Sequence, residues 1–134
     1  MAGKFVNEGE NDVLDVYLSN DVAQHANLYL RLYTAPTSEP AETAVLTDLT
    51  EPVGAGYDAQ TIAAADWSVV ADLATAAEKT FAATGAWGNV YGYYIATTSD
   101  DTGKLLFVEQ FSNGPYNIQN NGDEIKVTAK VTAS

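Results

Sequence analysis

From Trp67 onward the sequence alternates with a period of two, and turn chemistry cuts it at short intervals. The clearest stretch is the last, where Ile125, Val127, Ala129 and Val131 alternate with Lys126, Thr128, Lys130 and Thr132. Such alternation gives a strand with one face toward a core and one toward water. The same reading predicts strands over residues 67–73, 78–83, 89–97, 104–111 and 124–132. Between them lie Thr84-Gly85, Ser99-Asp100-Asp101-Thr102-Gly103, Asn113-Gly114-Pro115 and Asn120-Asn121-Gly122-Asp123, all residue types that favour tight turns. No helical pattern separates these strands, which argues against a parallel α/β sheet. The expected fold is mainly β, an antiparallel β-sandwich or jelly-roll-like barrel.

The N-terminal part changes this only at its start. Val13, Leu14, Tyr17 and Leu18 recur at spacings of three and four, the stripe of an amphipathic helix. Asn7 with Glu10 three residues on reads as a capping box, Glu8, Glu10, Asp12 and Asp15 suit the helix dipole, and Ser19-Asn20-Asp21 reads as the stop. The period then becomes two in Leu28-Tyr29-Leu30-Arg31-Leu32-Tyr33, predicting a strand with its leucines buried and Tyr29, Arg31 and Tyr33 on the other face. A long loop with Pro36, Pro40, Pro52 and Gly54-Ala55-Gly56 follows; loops of this length are usually functional or held by a partner. The 134 residues fit one β-sandwich domain spanning 1–134, in which 1–20 is a short N-terminal α-helix or arm. If that segment extends from the body it is a docking arm; if it packs down it is a lid on the core.

Net charge is −12, and it is unevenly spread: residues 1–72 carry twelve acids against Lys4 and Arg31. This surface repels phosphate backbones, so no nucleic-acid partner is expected; the acidity serves solubility alone or suits docking onto a basic surface. There are no cysteines, which removes disulfides and thiolate ligands. Residues 1–8 lack the apolar run of a secretory signal, and no stretch approaches the roughly 20 apolar residues of a membrane helix. Synthesis in a cytoplasm without membrane insertion is the expectation.

Residue patterns that could carry chemistry are weak. His25 is the one histidine and reads as a solvent-exposed loop residue, with no second His for a metal site and no G-x-S-x-G for a triad. Asp101-Thr102-Gly103 spells the D-T-G of aspartic proteases but sits in a polar hairpin turn with Lys104 after it. Gly54-Ala55-Gly56-Tyr57-Asp58-Ala59 lacks the flanking strand and helix of a dinucleotide site, and Asn120-Asn121-Gly122-Asp123-Glu124 lacks EF-hand spacing. No catalytic residue, cofactor or metal ligand is predicted. The tyrosines carry two readings: alternation like theirs usually reports a core, and the alternative is a contact patch, because tyrosines bury area and keep a polar handle. In Tyr91-Gly92-Tyr93-Tyr94-Ile95, Gly92 leaves room for close approach of another group beside Tyr94. Trp67 and Trp87 read as core anchors. The candidate interface is Val13, Tyr17, Tyr29, Arg31, Tyr33, Tyr57 and Tyr94.

Several segments, in order, carry a resemblance: Leu14-Asp15-Val16-Tyr17, Leu28 to Thr34, Val45-Leu46-Thr47-Asp48-Leu49-Thr50-Glu51, Val90-Tyr91-Gly92-Tyr93-Tyr94-Ile95, Leu105 to Phe111, and Asn121-Gly122-Asp123 with Ile125-Lys126-Val127-Thr128. The chain resembles a family of small tailed-phage virion-associated structural proteins. The resemblance implies a β-sandwich-like particle protein without catalysis, located in the virion. The expected role is a capsid decoration (cement) protein on the outer surface of the major capsid protein lattice, acting as a homo-oligomer, with a trimer the expected closure. The alternative is a tail or tail-fibre adaptor component, or a host-surface (carbohydrate) binding module.

Overall fold

The alternation over residues 124–132 survives intact in the computed structural model, but the strand that carries it bends and changes partner. In chain order, the described residues, 3–132, form β1 (Lys4–Phe5), a helix α1 (Asn7–Leu14) running into a π-helical turn at Asp15–Ser19, β2 (Asn27–Tyr33), β3 (Gln60–Ala63), β4 (Trp67–Val70), β5 (Leu73–Ala76), β6 (Lys79–Ala82), β7 (Gly88–Val90), β8 (Gly92–Ala96), β9 (Leu105–Gln110), β10 (Tyr116–Ile118), β11 (Glu124–Val127) and β12 (Lys130–Thr132). β11 pairs with β6, whereas β12, just beyond the bend at Thr128-Ala129, pairs with β5. Ile125, Val127, Ala129 and Val131 are all buried across that bend.

The largest sheet has the order β1-β9-β8-β2-β3; β12-β5-β4, β11-β6 and β10-β7 form smaller sheets, and every paired strand is antiparallel. The fold is therefore mainly β, antiparallel and with one N-terminal helix, as the strand pattern predicts, and its sheets do not close into a barrel. No helix among the described residues is long and apolar enough to cross a membrane.

Two cores lie on opposite faces of the large sheet. Leu30 and Leu32 of β2, Tyr93 and Ile95 of β8 and Phe107 of β9 pack with Phe81, Trp87, Ile125, Val127 and Val131. On the other face, Tyr33, Tyr94, Leu105 and Val108 pack with Val6, Ala44, Leu46 and Leu49. The long loop after β2 is thus held by its own chain: Leu46 and Leu49 cover the sheet, and Thr34 N–H bonds Thr50 O while Thr50 N–H bonds Ala35 O. The expectation of one buried face for β2 is corrected on this point, because a segment without strand or helix periodicity supplies the second cover.

Other departures have local causes. The predicted strand 67–73 is a hairpin, β4–β5, turned by Ala71 and Asp72 with φ of +48° and +71°. Positive φ at both positions defines a type I′ turn, for which Asn-Gly is the usual signal and Ala-Asp is not. The 89–97 stretch is interrupted at Tyr91, and β1, β3 and β10 are too short for alternation to show. Gly92 is required by packing: a Cβ there would lie 2.2 Å from Glu109 O and 2.5 Å from the Tyr33 hydroxyl oxygen.

At the N-terminus the helix begins one residue earlier in the chain than a capping box would place it. Val6 is the N-cap and Asn7 is already inside; no side chain caps the helix. Its seat is a β-bulge. Ile95 pairs with Phe107 and Ala96 with Leu105, leaving Leu106 as the extra residue, and the Leu106 carbonyl accepts the Val6 N–H at 3.1 Å. The Glu8 carboxylate accepts the Leu105 N–H at 3.1 Å, so a first-turn acid fastens the helix to β9.

Candidate partner-binding surface

The helix touches the sheet through its smallest residue. A Cβ on Gly9 would stand 2.1 Å from the Leu106 carbonyl oxygen, so only glycine lets α1 lie this close to β9. The apolar stripe is left largely uncovered. Val13 and Leu14 are exposed, and Tyr17 and Leu18 keep 85% and 74% of their surface in water. The segment is therefore neither a free arm nor a plain lid: it packs down, yet presents its apolar residues outward. Asn20 ends it in the left-handed region, φ +59°.

Beside this ridge runs a groove of about 310 Å³, bounded by Val13, Val16 and Tyr17 on the helical segment and by Leu28 of β2, Ile62 of β3 and Trp67 of β4. That volume is at the small end of the range of binding pockets, roughly 300–1,000 Å³. Trp67 is half-buried, its ring edge-on to Phe107 at 6.1 Å, and forms part of the wall. His25 also belongs here. It is half-buried, and its Nε2 lies 3.1 Å from Asp12 Oδ2, tying the segment before β2 to the helix. The exposed-loop reading of His25 is corrected by that contact.

The remaining candidate interface residues sit elsewhere. Arg31 is 2% exposed, on the covered face of β2. Its Nη1 donates to Asp100 O at 2.8 Å, its Nη2 donates to Glu51 and, at 3.0 Å, to Asp101, and its guanidinium lies 5.0 Å from the Tyr94 ring centre. Burial opposes the charge on Arg31, but the hydrogen bond to Glu51, the field of Tyr94 and Glu51, and the Asp101 bond outweigh it, so the group is held more firmly protonated than a free guanidinium. Tyr33 and Tyr94 are fully buried. Burial raises both hydroxyls above the usual tyrosine value, and neither they nor Arg31 Nε find a partner among the described residues. Tyr57 is half-buried: its hydroxyl donates to Glu51 and accepts the Leu32 N–H at 3.0 Å, and its ring stacks on Phe81. Burial first, then the bond to Glu51, raises its hydroxyl as well. Tyr29 is half-buried on β2.

The structure thus brings Val13 and Tyr17 together on the outer helix surface, and places Arg31, Tyr33 and Tyr94 inside the protein, with Tyr57 beside them. Leu18, Val16 and Trp67 complete the outer surface. Leu18 was already visible in the helical stripe, but the meeting of Val16 and Trp67 needs the fold.

The patterns flagged for chemistry have structural roles. Asp101 of the D-T-G triplet pairs with Arg31, while Asp100 accepts the Thr102 N–H and hydroxyl, which lowers its pKa. Asp123 accepts the N–H groups of Gln119 and Asn120, closing a turn. Among the described residues no three His, Cys, Asp or Glu side chains gather as a metal site. Trp87 is a core residue whose indole N–H donates to Ala55 O at 3.0 Å.

Comparison with curated proteins gives no match. A family model does match, over residues 4–133, nearly the whole chain, and its description is podophage GP4 fiber I protein gp80. The ordered segments that suggested a tailed-phage structural protein therefore have a firm counterpart: the chain belongs to the podophage GP4 fiber I protein gp80 family of phage virion structural proteins.

Proposed function

We propose that the chain is a non-catalytic component of a phage tail-fibre assembly, held in the virion by contact with neighbouring virion proteins. The observation that carries this reading is the fibre-family match along residues 4–133. It favours the tail-fibre alternative over capsid decoration. The structure supports a contact role: an apolar ridge and groove lie on the surface, while His25, Asp100, Asp101 and Asp123 are engaged in packing and turn formation. The chain acts as one module spanning 1–134 and assembles as a homo-oligomer, the common arrangement for repeated particle components.

The test is position in the particle. Gold-labelled antibody against this chain, viewed on intact virions by electron microscopy, should mark the tail or its fibres. Label spread over the shell would restore the capsid-decoration reading, with the major capsid protein as partner. Absence of label from purified virions, with the protein found only in the lysate, would overturn a virion role of either kind.

A further inference from the structure

The helical segment that walls the groove carries charge of one sign. From Asn7 to Asp21 there are five acids, Glu8, Glu10, Asp12, Asp15 and Asp21, and no lysine or arginine. Lys104 lies 3.5 Å from Glu8 and His25 lies 3.1 Å from Asp12. Glu10, Asp15 and Asp21 have no ion-pair partner among the described residues. The exposed apolar ridge, one wall of the groove and this acidic border belong to one helical segment, with Asp12 lining the groove and Asp15 the flank toward Glu8 and Lys104.

We propose that this surface binds a basic segment of another virion protein, one that sets an apolar side chain into the groove and lysine or arginine against Glu10, Asp15 and Asp21. The inference rests on the virion role above and names the chemistry of the contact. Charge complementarity selects the occupant. A second copy related by a two-fold axis would bring the same acidic border against itself, since such an interface uses one patch twice, and like charges brought together at an interface are strongly unfavourable. A basic partner is drawn in by the same field and has its apolar residues covered by Val13, Leu14, Tyr17 and Leu18. Exposed tyrosine and leucine at the centre of such a patch, with charge at its edge, is the usual anatomy of a protein contact.

The experiment uses assembled particles. Phage lacking its own copy is complemented with chains carrying Tyr17→p-benzoylphenylalanine, Tyr17→Ser/Leu18→Ser or Glu10→Lys/Asp15→Lys. Both double variants change exposed residues, so their melting should match that of the unsubstituted chain. Each should reach purified virions in about tenfold fewer copies, read by quantitative mass spectrometry, the effect of a loss of about 1.4 kcal/mol. Irradiated virions should yield a cross-link from position 17 to a lysine- or arginine-bearing segment of a different virion protein. A cross-link only to another copy of this chain would overturn the proposal in favour of self-assembly through the ridge. Undiminished incorporation of both double variants would overturn it outright. If the unsubstituted chain itself is missing from virions, the virion role fails, and that result is separate from the other two.

Discussion

The covered face of β2 and β8 and the N-terminal helix are opposites in outcome. On the sheet, the candidate contact residues Arg31, Tyr33 and Tyr94 are buried; on the helix, the candidate contact residues Val13 and Tyr17 are exposed, together with Leu14 and Leu18 of the same stripe. Periodicity is the same kind of signal in both, and it correctly says which side chains share a face. What it omits is the cover. The sheet face is covered because Leu46 and Leu49 come back over it from the following loop. The helix face is left open because α1 is seated through Gly9 on the Leu106 bulge and, among the described residues, no other segment packs over Leu14, Tyr17 and Leu18. An apolar stripe can thus mark a core or a contact surface, and only the element facing it decides which.

Removing the charge at the centre of the covered face gives the largest effect expected. Arg31→Ala takes away the donors to Glu51, Asp101 and Asp100 O and leaves Glu51 without its cation. Breaking a buried pair from one side costs about 3–5 kcal/mol, because the surviving charge stays partly desolvated. Urea titration should show a lower midpoint with an unchanged slope. Adding Glu51→Gln to that variant should restore part of the loss, since the stranded carboxylate is then neutral. A loss below about 1 kcal/mol for Arg31→Ala would mean that this face behaves like ordinary surface, and the contrast with the helix would collapse.

How much of this was legible depends on where each signal lies. The leucines of β2 and the whole 124–132 alternation are local and were read correctly, as was the close approach at Gly92. The helix and its stop near Asn20 were also local. Its capping was not, because the Val6 N–H is satisfied by Leu106 O, a partner a hundred residues away in the sequence. The β4–β5 hairpin was hidden by a turn made from Ala71-Asp72. For the candidate surface, Val13 and Tyr17 were legible as a stripe with a tyrosine in it. Arg31 and Tyr94 gave no local sign of burial, since the groups that enclose them, Glu51, Asp100 and Asp101, come from separate loops.

An intermediate effect is expected at the joint between the two regions. Gly9→Ala improves intrinsic helix propensity by up to about 1 kcal/mol, yet its Cβ would fall 2.1 Å from Leu106 O and 2.6 Å from Leu106 Cα, both backbone atoms that cannot rotate away. The helix must lift, straining the Val6–Leu106 and Glu8–Leu105 hydrogen bonds. Overpacking of this kind costs about 1–3 kcal/mol. The variant should be less stable than the unsubstituted chain and should be cut faster by chymotrypsin after Leu14 or Tyr17. Equal stability and equal cleavage would show that Gly9 is not what seats the helix, and that its apolar residues face outward for another reason.

The smallest effect sharpens the comparison by asking what a partly covered charge does without a cation beside it. Glu109 is half-buried on β9 and accepts the Tyr93 hydroxyl at 2.7 Å, with no ion pair among the described residues. Burial raises its pKa, outweighing the lowering by the Tyr93 bond and by Lys130. A carboxyl whose folded pKa lies above its unfolded value of about 4.3 binds its proton more tightly when folded. Its contribution is therefore fully favourable below that unfolded value and is lost as pH rises through the folded one. Glu109→Gln fixes the neutral form and keeps an oxygen to accept from Tyr93. The variant and the unsubstituted chain should melt alike near pH 4, and the variant should gain toward pH 7 by less than about 1 kcal/mol, the scale of partly exposed charges. A variant that is less stable at pH 7 than the unsubstituted chain would mean that the Tyr93 bond to a charged carboxylate outweighs its desolvation. Glu109 would then belong with the compensated charges around Arg31.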